Sequence, residues 1–113
     1  MQITKEMKKA ITEKEKKNTE LTKLCNKLVD LEIKEATKRV TIMNKLEAEA
    51  TANGKKITEK SKVAKCDAEL KDLMIDIKWL KNDISTLKRD IELCDDKISL
   101  HRNRIRELEL SSH

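Results

Sequence analysis

Few side chains in this sequence have the type and spacing to do chemistry. Cys25, Cys66 and Cys94 lie far apart, and none has a CxxC partner or a histidine at ligand spacing. They read as reduced thiols rather than as metal ligands or a disulfide framework. His101 is the only internal histidine. Asp and Glu recur at helical surface spacing, and Asp95-Asp96 is a doubled surface acid rather than a convergent pair. No Gly-rich phosphate loop, G-x-S-x-G or H-E-x-x-H is present. The expectation is a chain with no catalytic residues, no metal and no cofactor.

Charge is the more informative chemistry. The 113 residues hold 26 Lys or Arg and 21 Asp or Glu, a net charge of +5. Five lysines (Lys55, Lys56, Lys60, Lys62 and Lys65) crowd residues 53–66 against the single Glu59. Residues 67–96 are acidic overall, and Arg102, Arg104 and Arg106 form a second basic cluster beyond them. Basic clusters neutralise phosphates without reading sequence. Single-strand binders add stacking aromatics, and here Trp79 stands alone in the acidic zone. Arg is also enriched at protein interface hot spots. Lys55, Lys56, Arg102, Arg104, Arg106 and Trp79 are therefore the candidate partner-binding residues.

The elements that position these groups follow from composition. One glycine, no proline, no Phe or Tyr and 42% charged residues exclude a protein of many turns. A hydrophobic fraction of 37% falls below the ~45–50% of globular domains, and Ala, Glu, Lys, Leu and Ile dominate as in packed long helices. Asn53-Gly54 tolerates the left-handed conformation that ends a helix, and the Thr58 hydroxyl caps the next one. The fold class is all-α: two helices, about 3–52 and 58–110, joined by one turn, forming a single elongated coiled-coil domain. No segment approaches the ~20 apolar residues of a membrane span. Met1–Glu6 carries charge at once and lacks the apolar block of a leader. A cytoplasmic chain is expected.

The second helix carries a 3-4 repeat. Position a reads Val63, Leu70, Ile77, Ile84, Ile91, Ile98 and Ile105. Position d reads Cys66, Leu73, Leu80, Leu87, Cys94, His101 and Leu108. Seven heptads with one polar position predict a coiled-coil seam. Ile at a with Leu at d is the pattern of a two-stranded parallel pair. Flanking charges leave the orientation open: Asp76–Lys81, Asp83–Lys88 and Arg104–Glu109 attract, while Asp90–Asp95 and Lys97–Arg102 repel. The seam is assigned to a homodimer. A weaker outer stripe, Ala68, Ile75, Trp79, Leu93 and Leu100, is assigned to the first helix folding back. A monomeric hairpin using the seam internally is the alternative.

The first helix is less regular. Ile3, Met7, Ala10, Leu21, Leu24, Leu28 and Leu31 share a frame that puts Lys14 and Lys17 at core positions. Beyond Leu31 the stripe continues as Ala36, Val40, Met43, Leu46 and Ala50. Residues 12–20 contain no apolar side chain and are expected to be solvated, frayed or reserved for a partner.

The Asn53-Gly54-Lys55-Lys56-Ile57-Thr58-Glu59-Lys60 turn leading into a long heptad helix with an Arg-rich end resembles small phage accessory proteins. One such group is the recombination mediators of the UvsY kind, which load a recombinase onto single-stranded DNA. The other is the anti-CRISPR inhibitors, which cover a surface of a Cas effector. The second resemblance implies a non-catalytic inhibitor of a host protein or ribonucleoprotein complex, acting by protein contact. The first implies direct contact with single-stranded DNA. A purely structural coiled coil with no particular target is the remaining alternative.

Overall fold

The computed structural model describes residues 4–111. The described residues are helical apart from the entry residue Thr4, the Asn53–Thr58 turn and Leu70: α1 is Lys5–Ala52, α2 Glu59–Glu69 and α3 Lys71–Ser111. Ile3, the first apolar residue of the expected frame, lies outside the described residues. At the start of α1, Thr4 Oγ1 accepts the Met7 N–H at 3.1 Å, which satisfies one of the free donors of the first turn.

The turn is built as its residue types require. The Lys55 N–H donates to the Ala50 carbonyl at 2.8 Å and the Gly54 N–H to that of Thr51 at 3.1 Å, the paired bonds of a Schellman stop. Gly54 has φ +64°, which a residue with a Cβ adopts at a cost. Thr58 then caps α2, its Oγ1 accepting the Ser61 N–H at 3.1 Å, with Glu59 in the first turn.

Sequence periodicity predicts one unbroken helix after the turn, and the structure divides it at Leu70, whose backbone sits at φ −96°, ψ 7°. Hydrogen bonds cross the break, from the Leu70 N–H to the Cys66 carbonyl and from the Met74 N–H to the Leu70 carbonyl, both at 2.9 Å. The break is therefore a change of helical phase rather than a second turn. Its effect is readable in the burial pattern: the inward residues are Lys62, Cys66, Leu70, Leu73 and Ile77, two successive steps of four followed by a regular heptad. Val63 is thereby moved off the seam to 38% exposure, and Lys62 takes the inner position at 9%. A step of four inserted into a heptad pattern locally changes the coiling.

The chain forms two compact units. In the first, α1 up to Cys25 packs against α3 from Asn82. Met7 and Ala10 form a buried cluster with Ile98 and Ile105, and Ile11 packs on it. Ile84, Leu87 and Cys94 are buried, while Ile91 and His101 are half-buried. Residues 12–20 are helical throughout. Lys14 and Lys17 occupy the inward positions, half-buried, and pair with Asp95 and Asp90 of α3, the latter at 3.8 Å. The apolar gap is thus bridged by long side chains whose stems cover the groove and whose heads reach acids at its edge.

In the second unit, residues 26–81, α1 packs against α2 and the start of α3. Cys66, Leu70, Ile77 and Leu80 are buried, and Leu28, Leu31, Ile42, Met43, Leu46 and Ala50 cover them from α1. Ala36 and Val40 do not continue the inner stripe, contrary to the sequence expectation. Glu35 and Arg39 turn inward instead, because Arg39 bonds across to Asp67. Ala36 and Val40 are left outside with Val29 and Ile33.

The antiparallel arrangement within each unit shows in its cross-helix pairs: Lys14 with Asp95 and Lys17 with Asp90 in the first, Glu32 with Lys81, Arg39 with Asp67 and Glu47 with Lys62 in the second. The a/d residues therefore face α1 of their own chain, whereas Ile75, Trp79, Leu93 and Leu100, expected to receive α1, are exposed. The physical reason is twofold. The a/d face is the more apolar one, and a helix tethered by a short turn is present at an effective concentration no second chain matches. Leu108 leaves the seam as well, at 66% exposure, beyond the closing cluster of Met7, Ala10 and Ile105.

Truncating a seam residue should therefore destabilise the single chain. Ile84→Ala is expected to lower the unfolding free energy by roughly 2–5 kcal/mol at every protein concentration, whereas Leu93→Ala should change it by less than about 0.5 kcal/mol. Urea unfolding at two protein concentrations measures both.

Candidate interaction site

The turn gathers the first group of candidate residues. Lys55 and Lys56, both exposed, line a shallow cavity of about 380 Å³ together with Lys65, which lies one and a half turns into α2. Asn53, Thr58 and Ser61 add polar groups, and Glu49 places a carboxylate on the same wall. Lys65 joins because the Thr58 cap starts α2 in a phase that turns it back toward the turn. Spacing alone does not reveal that.

Lys62 behaves differently from its neighbours. Its Nζ lies 2.5 Å from Glu47 Oε1 and 2.9 Å from Glu59 Oε2. The hydrogen bond to Glu47, then that to Glu59, raises the ammonium above its ordinary value of 10.5 against a smaller opposing effect of desolvation. One of the five lysines around the turn is thus neutralised by two acids, and the charge available to a ligand falls accordingly. The step of four residues from Lys62 to Cys66 to Leu70 is the sequence signal for this inward lysine.

Arg39 holds the middle of the second unit. Nη1 donates to Asp67 Oδ1 at 2.9 Å and Nη2 to Glu35 Oε1 at 3.2 Å, and Met74 Sδ lies 3.8 Å from Nη2. The bond to Asp67, then that to Glu35, raises the already high guanidinium pKa, so the group is a fixed cation. Below it, the Cys66 thiol, fully buried, faces the Arg39 carbonyl with its Sγ at 4.0 Å. Cys66 is packing material covered by α1, and the same holds for buried Cys94. Cys94 meets α1 of its own chain in the place where a dimer seam would set it against its mate.

The Arg-rich end belongs to the first unit. Arg102 borders a groove of about 510 Å³ with Lys14, Glu15, Asn18 and Asp95 over a floor of Ile11 and Ile98. Arg104 and Arg106 are exposed. Trp79 is 64% exposed on α3 and lines neither cavity. The six candidate residues thus fall at separate places, and the structure joins only Lys55 and Lys56 into one cavity.

Among the described residues no three His, Cys, Asp or Glu side chains converge on a point that would hold a metal ion. Every buried side-chain nitrogen or oxygen among them has a hydrogen-bond partner. Among the described residues no helix is long and apolar enough to cross a membrane. Large apolar side chains are also exposed, among them Ile75, Trp79, Leu93 and Leu100 on α3, and Val29, Ile33 and Val40 on α1. No protein-family model, curated protein or solved structure matches the chain.

Lys62 offers a direct check on the turn. A raised lysine pKa means that folding favours the charged form, so its contribution is complete below pH 10.5 and disappears as pH climbs through the higher folded value. The difference in Tm between wild type and Lys62→Gln is expected to stay constant from neutral pH to about 9.5 and to narrow only at higher pH. Thermal melts across that range measure it.

Proposed function

We propose that the protein is a non-catalytic helical binding protein, phage-encoded, that inhibits a host nucleic-acid-directed complex by protein contact, in the manner of anti-CRISPR inhibitors. The exposed apolar stripe of α3 carries this reading. With the a/d seam covered by α1, Trp79 still stands 64% exposed, with Ile75 close by on the same outer stripe. Tryptophan in such a position is the commonest anchor of a protein interface, and it has no stacking neighbour to suit a nucleic-acid base. The phage origin and the kind of target come from the resemblance alone.

A second reading, the single-stranded-DNA accessory factor, draws on the cavity lined by Lys55, Lys56 and Lys65. Against it stand the pairing of Lys62 with two acids and the carboxylate of Glu49 on the cavity wall.

A photo-crosslinking residue in place of Trp79, exposed to bacterial host extract, distinguishes the two. The expected outcome is a discrete protein adduct, competed by unlabelled wild type and not by Trp79→Ala, with binding to that protein weakened about 30-fold or more by the alanine. Titration with single-stranded DNA at two salt concentrations supplies the other arm. Salt-sensitive submicromolar binding, lost on charge reversal of Lys55, Lys56, Arg102 and Arg106, replaces protein contact with the DNA-binding reading.

A further inference from the structure

The inward turn of Glu35 and Arg39 leaves Val29, Ile33, Ala36 and Val40 on the outside of α1 in 4-3-4 spacing. Val29, Ile33 and Val40 are 55–60% exposed. This is itself a short heptad stripe, and its arrangement says what fits on it. The four residues are placed symmetrically about the midpoint between Lys34 and Glu35. An antiparallel copy of the same helix, related by a two-fold axis through that midpoint, sets Val29 against Val40 and Ile33 against Ala36, each pair formed twice. Large faces small in the central layers and two valines meet in the outer ones, as close helix packing prefers.

The flanking charges agree with that register. In an antiparallel pair of helices, the residues bordering the stripe on one side meet their own counterparts from the other copy. On one side these are Glu32 and Arg39, so each Glu32 lies beside the Arg39 of the other copy. On the other side are Asp30 and Thr37, which meet without like charges. Arg39 retains free donors for this, because Asp67 and Glu35 each take one of its five N–H groups. Glu32 is tied only by a 3.9 Å pair to Lys81 at the surface. The outer stripe of α3 lacks this symmetry: Asn82 and Thr86 interrupt it between Trp79 and Leu93.

We propose that the α1 stripe Val29, Ile33, Ala36 and Val40 docks a second copy of this chain, antiparallel, through an isologous two-fold interface. The a/d seam takes no part, and the Trp79 face stays free for another protein. Four side chains per copy make a small interface, so the dimer is a weak one, with a Kd on the order of 10–100 µM, at the low end of specific association.

Sedimentation velocity of the full chain tests this. The mass is expected to rise from monomer toward dimer with concentration, and Ile33→Asp should hold it at monomer without changing the helical circular dichroism or the Tm. Glu32→Arg, which sets arginine beside arginine, should weaken association, while Trp79→Ala leaves it unchanged and so separates this dimer from the protein-contact reading. Register is read by oxidation. Chains carrying Ile33→Cys mixed with chains carrying Ala36→Cys should cross-link at these positions several-fold faster than either alone. A monomer at all concentrations, a dimer that survives Ile33→Asp, or faster cross-linking of Ile33→Cys with itself overturns the proposal.

Discussion

The apolar face of α2 and α3 can be buried against one neighbour only, and everything else in the structure depends on which neighbour that is. The repeat from Cys66 to Ile105 offers aliphatic residues at nearly every inward position, far more than any other face of the chain. In each unit α1 takes it. The Schellman stop at Gly54 and the Thr58 cap make that possible, because they reverse the chain within a few residues. Once the seam is covered in this way, self-association must use other residues, and the outer stripes become the apolar surface open to partners.

α1 is not an ideal mate for such a seam, and the polar contacts record how the mismatch is resolved. Where α1 lacks apolar residues, Lys14 and Lys17 lay their stems along the groove and pair with Asp95 and Asp90. Where its frame slips, Glu35 and Arg39 turn inward, and Arg39 reaches Asp67. On the opposite helix the phase changes at Leu70, and Lys62 enters between Glu47 and Glu59. Each of these pairs has at least one partner reaching solvent and contributes little stability by itself, but together they select a register by leaving no buried polar group unpaired. The phase slip that brings Arg39 inward is also what expels Val29, Ile33, Ala36 and Val40 as a stripe.

Helices, turn and cap were legible in the sequence because they depend on neighbours in the chain: one Asn-Gly, the Thr58-Glu59 pair just after it, and an unbroken 3-4 repeat. The mate of the seam was not legible. Ile at a and Leu at d describe an attractive surface and say nothing about whether the partner is the same chain or another. Val63 and Lys62 illustrate a finer limit, since adjacent residues exchange places when the helix shifts phase at Leu70. Lys14 and Lys17 already stood at core positions of the α1 frame, whereas Arg39, the inward Lys62 and the α1 stripe escaped notice for the same reason as Val63. Their positions are set by cross-helix pairing with Asp67 and Glu47, which periodicity within one helix does not encode. The basic clusters were visible as charge, but neither the removal of Lys62 from that charge nor the entry of Lys65 into the turn cavity was.

Isotope-filtered NMR measures most directly which chain covers the seam. In an equimolar mixture of labelled and unlabelled protein, contacts between the Met7 methyl and the methyl groups of Ile98 and Ile105 report on the closing cluster. With the seam buried inside the single chain, these contacts appear only within labelled molecules and are independent of concentration. Cross-peaks between labelled and unlabelled chains at the same methyl groups would contradict it.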